Sequence, residues 1–235
     1  MIIEDKLEII ITGTSRGIGK SLALHLLEKN FIVIGISRTI PRIEHENYHH
    51  IKADLTNDED FAEVELNLLT FKNIYALINN AGTANLNHFL FTTSKKTDQV
   101  LRLNFVAVLK MCQIVVKKMM PLKRGRIINF TSVAVPLGLE GEAIYAASKS
   151  AIETFSEVIS KEISSYGITS NCIGPNPIQT ALIKNVPNKK INELLGKQAI
   201  KKLGSFEDVF NLVDFYLKKE SSFVTGQKIY LGGIH

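Results

Sequence analysis

Tyr145 and Lys149 stand four residues apart, and Ser132 lies thirteen positions before the tyrosine. On a helix that spacing puts the phenol and the ammonium on one face, a turn apart. A neighbouring cation favours the phenolate and lowers a pKa that is about 10 when unperturbed, which makes tyrosine usable as a general acid or base near neutral pH. A serine hydroxyl aimed at the same point polarises the same substrate oxygen. Together the three groups suit proton transfer to or from a carbonyl or alcohol oxygen. Tyr-x-x-x-Lys by itself also describes many helix surfaces, so the chemistry depends on what the rest of the chain builds around it.

Ile127 to Phe130 reads as a buried strand that delivers Ser132 at its carboxyl end. Tyr145 and Lys149 open a helical segment that runs on to Tyr166 and stops at Gly167. At the start of the chain, the apolar run Leu7–Thr12 leads into Gly13-Thr14-Ser15-Arg16-Gly17-Ile18-Gly19 and an amphipathic stretch from Lys20 to Lys29. That is strand, glycine turn, helix. The glycines permit a tight turn and close approach of a phosphate to backbone N–H groups, and a helix N-terminus adds free donors and a favourable dipole. Phe31–Ile36 is a second strand, ending at Ser37-Arg38. An NAD-specific protein of this architecture places an acid at position 37 to bind the ribose 2′-OH. A serine followed by Arg38 instead accepts a 2′-phosphate, which Arg16 can also approach, so NADP(H) is the expected cofactor.

Ile51–Leu55 reads as a third strand with Asp54 at its carboxyl edge, in reach of an adenine or capping the segment from Thr56. Tyr75–Ile78 is a fourth strand, running into Asn79-Asn80-Ala81-Gly82, a small-residue loop suited to packing beside a cofactor. His45, His49 and His50 read as a solvent loop rather than a metal site. Lys96 to Met120 has helical periodicity, with Asn104 inside it. A further strand, Ile168–Ile173, leads to Pro175-Asn176-Pro177-Ile178-Gln179-Thr180. Residues 181–203 are basic, weakly patterned and interrupted by Pro187 and Gly196, which reads as one or two short helices forming a substrate lid. A helix over Phe206–Leu217 and a strand over Lys228–Leu231 complete the chain. Strands alternating with helices predict a single α/β domain over 1–235: a doubly wound, Rossmann-type parallel sheet of about seven strands with helices on both faces.

Composition narrows the classes. At 235 residues and 45% hydrophobic content the chain can bury one large core. Cys112 and Cys172 lie in no metal or redox spacing and read as reduced, packed thiols. No basic region followed by a long apolar run marks a signal peptide, and no apolar run is read as a membrane span, so a cytoplasmic protein is expected. A net charge of +5 without a nucleic-acid reading element describes a mildly basic surface. One basic cluster stands out: Lys117, Lys118, Lys123, Arg124 and Arg126.

In order and spacing, Thr12-Gly13-x-x-x-Gly17-x-Gly19, Asp54, Asn79-Asn80-Ala81-Gly82, Asn104, Ser132, Tyr145-x-x-x-Lys149, Pro175 and Thr180 jointly resemble the short-chain dehydrogenase/reductase family over essentially the whole length. The resemblance implies that Tyr145 is the acid/base and that Ser132 holds the substrate oxygen. It further implies that Lys149 binds the nicotinamide ribose and lowers the tyrosine pKa, and that Asn104 holds a water relaying protons to Lys149. It implies cofactor contacts from Gly13, Ser15, Arg16, Gly17, Ile18, Gly19, Ser37, Arg38, Asp54, Leu55, Asn80, Ala81, Gly82, Pro175, Ile178 and Thr180, besides Tyr145 and Lys149, with no metal. Within the family, Arg124–Asn129, Tyr166–Asn171 and Val224–Lys228 resemble 3-oxoacyl-acyl-carrier-protein reductases, whose acidic carrier the basic cluster would attract.

Asn176 in place of glycine, the following Pro177, and Tyr166 where a basic residue is common depart from that group. The expectation is therefore an NADPH-dependent ketoreductase acting on a 3-oxoacyl thioester or related ketone, such as a polyketide-like one. An oxidoreductase of a sugar or small secondary alcohol, or a catalytically silent NADP(H)-sensing protein, stands as the alternative. A homodimer or homotetramer is the family-level expectation.

Overall fold

A computed structural model of the chain describes residues 6–178 and 188–234. Seven parallel strands form one sheet: β1 (Glu8–Thr12), β2 (Ile32–Ser37), β3 (Tyr48–Lys52), β4 (Ile74–Asn79), β5 (Gly125–Phe130), β6 (Ile168–Gly174) and β7 (Lys228–Tyr230). Their spatial order is β3-β2-β1-β4-β5-β6-β7. The chain winds outward from β1 to β3, returns beside β1 as β4, and winds away in the other direction. The reversal leaves a crevice between the carboxyl ends of β1 and β4, where open α/β sheets bind ligands.

The central strands are almost pure runs of buried residues, as parallel strands covered on both faces must be. Alternation sorts them. Ile10, Ile34, Leu77 and Ile127 pack on one face against α2 (Asp58–Asn67), α4 (Ala107–Met119) and α6 (Ala143–Ile163). Ile9, Ile11, Ala76 and Ile128 pack on the other against α1 (Gly17–Glu28) and α8 (Phe206–Leu217). Truncating a fully buried isoleucine such as Ile10 to alanine costs about 2–5 kcal/mol. Asn57 caps α2, and Ser205 with Asp208 forms a reciprocal capping box on α8. The N-cap residue of α1, Arg16, makes no side-chain cap, so the first N–H groups of that helix are not used by its own cap.

Several boundaries differ from the pattern reading. β3 begins at Tyr48, so His49 and His50 lie on a strand rather than in a solvent loop, and Asp54 falls two residues beyond its end. Pairing with β2 and packing against neighbouring rings set this: His49 meets Phe71 edge-on, and the Tyr48 hydroxyl bonds Thr14 at 3.1 Å. The long helix over 96–120 is α3 (Ser94–Leu101), then a π turn over Arg102–Val106, then α4. By length and composition the stretch Ser94–Leu122 could cross a membrane. Val100, Val108, Met111, Val115 and Met119 are nevertheless packed inside, which makes it a core helix. In the expected lid, α7 spans Asn188–Lys197, and it and α5 (Ala134–Leu137) both contribute residues to the lining of one cavity; residues 181–187 lie outside the described residues.

Candidate active site

At the crevice lies a cavity of about 1140 Å³. At one end the glycine turn leaves β1. Gly13 has a positive φ of 80°, and a Cβ there would sit 2.9 Å from the Ala81 Cα. A Cβ at Gly19 would sit 2.3 Å from the Gly13 carbonyl oxygen, so a side chain at either position would break the turn. Thr12 ties this turn to the end of β4: its Oγ1 accepts from the N–H groups of Asn80 (3.1 Å) and Ala81 (3.0 Å). Asn80 Nδ2 in turn donates to the Thr12 carbonyl at 2.9 Å. The Asn80 side chain is thus a brace between two loops, with one edge on the cavity.

Past the glycine turn, Arg16 and Arg38 both line the cavity, and both are exposed. Arg38 Nη1 lies 3.7 Å from Asp54 Oδ2. Asp54 also accepts from the Thr56 N–H (3.0 Å) and hydroxyl (2.8 Å). Burial raises its pKa, but the bonds from Thr56 and the Arg38 guanidinium outweigh it and hold the carboxyl below its ordinary range. Ser37 is buried, and its hydroxyl donates to the Thr39 carbonyl at 2.9 Å, so donation to a phosphate requires a different rotamer.

At the other end, β5 delivers Ser132, whose Oγ accepts from the Ala134 N–H at 3.1 Å and keeps its own hydrogen to give. Tyr145 and Lys149 project from the first turns of α6. Lys149 is 5% exposed and donates to the Phe130 carbonyl at 2.7 Å. Asn104, inside the π turn, is fully buried. Its Nδ2 donates to the Thr83 carbonyl and to Ser148 Oγ, each at 2.9 Å, and its Oδ1 accepts from the Thr83 N–H at 2.9 Å. Ser148 Oγ donates to the Tyr145 carbonyl at 2.7 Å. A Cβ at Gly82 would lie 3.3 Å from Asn104 Oδ1 and 3.4 Å from Lys149 Nζ, so these groups share one wall.

Burial pushes the Tyr145 phenol up to about 12, against a smaller downward pull from Ser132. It pushes the Lys149 ammonium down to about 8. The expected lowering of Tyr145 by Lys149 is therefore not what this arrangement gives. The ammonium is turned to the Phe130 carbonyl, and desolvation of the phenolate dominates.

A family model described as short chain dehydrogenase matches residues 8–191. The 3-oxoacyl-[acyl-carrier-protein] reductase FabG of Buchnera aphidicola subsp. Schizaphis graminum (strain Sg) is 31% identical over 236 residues, covering 97% of this chain and 97% of that protein. The chain belongs to the short-chain dehydrogenase family. Another relative of this short-chain dehydrogenase, FabG of Escherichia coli (strain K12), is 28% identical over 231 residues, covering 95% of each chain. Among solved structures, 4-hydroxyisoleucine dehydrogenase complexed with NADH superposes with a TM-score of 0.91 at 25% identity, covering 97% of this chain and 98% of that one. ElxO with NADP bound gives a TM-score of 0.87 at 24% identity, covering 96% of this chain and 97% of that one, a likeness of fold.

In this short-chain dehydrogenase the residues expected to touch a cofactor line the same cavity, as does Ser132; Thr180 alone of them lies outside the described residues. Asn104 sits behind the wall. Pattern reading quoted Thr12 in the glycine motif without giving it a role, and missed Thr83, Ser148 and the Phe130 carbonyl. Ser148 had a readable signal, since it lies three residues after Tyr145 and one before Lys149. The Phe130 carbonyl had none, because every residue has one.

Proposed function

We propose that this protein is an NADP(H)-dependent ketoreductase that converts a 3-oxoacyl thioester, or a related ketone, to the alcohol. The observation that carries this reading is one cavity holding Ser132, Tyr145 and Lys149 at one end and two arginines with no acid at position 37 at the other. The glycine turn and the open first turn of α1 fit a pyrophosphate, and Arg16 and Arg38 fit a 2′-phosphate. About 1140 Å³ exceeds the usual ligand pocket of roughly 300–1000 Å³, leaving room for a substrate beside a dinucleotide. A bound nicotinamide supplies the hydride.

The chain's own residues do the rest. Ser132 donates its hydrogen to the substrate oxygen and fixes its direction. With its pKa raised to about 12, Tyr145 is fully protonated at neutral pH, the form needed to give a proton to the developing alkoxide. Lys149, with a pKa near 8, is mostly charged at pH 7 and lines the same cavity, where it would hold the nicotinamide ribose. Asn104 and Ser148 hold Thr83 and the first turn of α6 in register.

Two observations favour a smaller, polar ketone or alcohol as a second reading. Arg126, counted in the basic cluster, is buried and donates to the carbonyls of Tyr216 (3.0 Å) and Lys218 (3.1 Å), so it offers no docking charge. The substrate side of the cavity carries Glu140, Glu142 and Glu193 against Lys197, a balance unfavourable to an acidic carrier. Following NADPH oxidation with a 3-oxoacyl thioester series and a panel of sugar and small ketones decides between them. Turnover of the thioesters is expected; turnover of sugar ketones alone establishes the second reading, and NADPH binding without reduction of any ketone contradicts both.

A further inference from the structure

Glu153 lies on α6 four residues after Lys149 and eight after Tyr145, on the same helix face. It is 5% exposed, a rare state for a carboxylate, and one sustained only by good hydrogen bonds. Its Oε1 accepts from two hydroxyls, Thr131 Oγ1 and, at 2.7 Å, the Tyr230 phenol. Each donor belongs to a different strand end beside the site. Thr131 immediately precedes Ser132, and its N–H donates to the Ile173 carbonyl at 2.8 Å. Tyr230 is on β7, and its ring lies over Gly174, where a Cβ would approach the Tyr230 Cδ1 to 2.2 Å and the Thr131 Cγ2 to 3.3 Å. Gly174 is the last residue of β6 and hands the chain to Pro175 on the cavity wall.

We infer that Glu153 is a positioning residue: through Thr131 and Tyr230 it locks the ends of β5 and β6 to the helix face that carries Tyr145 and Lys149, and so fixes the Ser132–Tyr145 geometry. A single carboxylate oxygen with two hydroxyl donors fits this better than an apolar residue of the same volume, because it joins three elements at one point. Removing it leaves the buried Thr131 hydroxyl and the half-buried Tyr230 phenol without their acceptor and lets Ser132 drift. A displacement near 1 Å at a reacting group costs about a hundredfold in rate.

The inference rests on the proposed function, and the test separates the two. Tyr230→Phe keeps the ring over Gly174 and removes one donor; Glu153→Gln keeps an acceptor; Glu153→Leu keeps volume and removes it. The measurements are kcat, KM for the ketone, NADPH dissociation constant and Tm. The expected result is a fall in kcat of about tenfold for Tyr230→Phe and about a hundredfold for Glu153→Leu, with Glu153→Gln the mildest and NADPH affinity unchanged throughout. Should Glu153→Leu fail to fold, Tyr230→Phe and Glu153→Gln carry the test alone. Unchanged kcat in folded variants, or parallel losses of Tm and NADPH affinity at constant kcat, overturns the inference and leaves the enzyme reading intact. A wild type that reduces no ketone overturns the function and the inference together.

Discussion

The two ends of the cavity hold their charges in opposite ways. At the glycine-turn end, the Arg38 side chain is 69% exposed and its partner Asp54 36% exposed, 3.7 Å apart. At the other end, Lys149 and Glu153 are each 5% exposed and their bonds go to groups fixed in the fold. Exposed pairs are screened and worth about 0–1 kcal/mol, so Arg38 can leave Asp54 for a phosphate at little cost. Buried charges cannot relax in that way, and burial moves the proton affinity of Lys149 by whole units. On the proposed function, the exposed end suits the choice of a ligand and the buried end suits the holding of a reaction geometry.

Ser132→Ala removes a donor to the substrate oxygen at the buried end; kcat is expected to fall about a hundredfold or more while NADPH affinity holds. Arg38→Ala acts at the exposed end, and titrations should show NADPH weakened about tenfold or more with NADH nearly unaffected. Equal losses for both cofactors would remove the 2′-phosphate argument. The pH profile of reduction comes next. Lys149 carries its charge below about pH 8, so kcat should decline several-fold as pH rises through that value, whereas the fully protonated Tyr145 imposes no limit until about pH 12.

The smallest effect is on stability. The folded pKa of Lys149 is depressed from 10.5 to about 8, so between those values the unfolded chain binds more protons than the native one. Stability from this residue therefore rises with pH across that window, by at most about 1.4 kcal/mol per unit. Thermal melts should show Lys149→Met losing that rise, without a lower Tm at pH 7, although turnover is gone.

The same contrast explains what can be read from the chain. The glycine turn, Ser37-Arg38 and Ser132…Tyr145-x-x-x-Lys149 are legible because their chemistry depends on residue type and local spacing, and the strand–helix alternation that presents them fixes the sheet. Arg126 is not legible. It sits in a run of basic residues, and its burial is decided by carbonyls of Tyr216 and Lys218, far along the chain. The π turn at Arg102–Val106 carries no glycine or proline to mark it. The direction of the Tyr145 shift escapes pattern reading for a related reason: spacing reveals a neighbouring lysine, but desolvation enters only once the site is packed. Nothing in the local spacing marks Glu153. Only the approach of Thr131 and of Tyr230, 77 residues on, gives it a role.

Replacing Tyr145 with phenylalanine removes one oxygen and leaves the ring, the cavity and both cofactor ends in place. Tyr145→Phe is expected to lose at least about a thousandfold in kcat for ketone reduction, within the upper range for a positioned acid, while NADPH binds as it does to the wild type. Ketone reduction by this variant at a rate near the wild type's would contradict the role of Tyr145 as the acid.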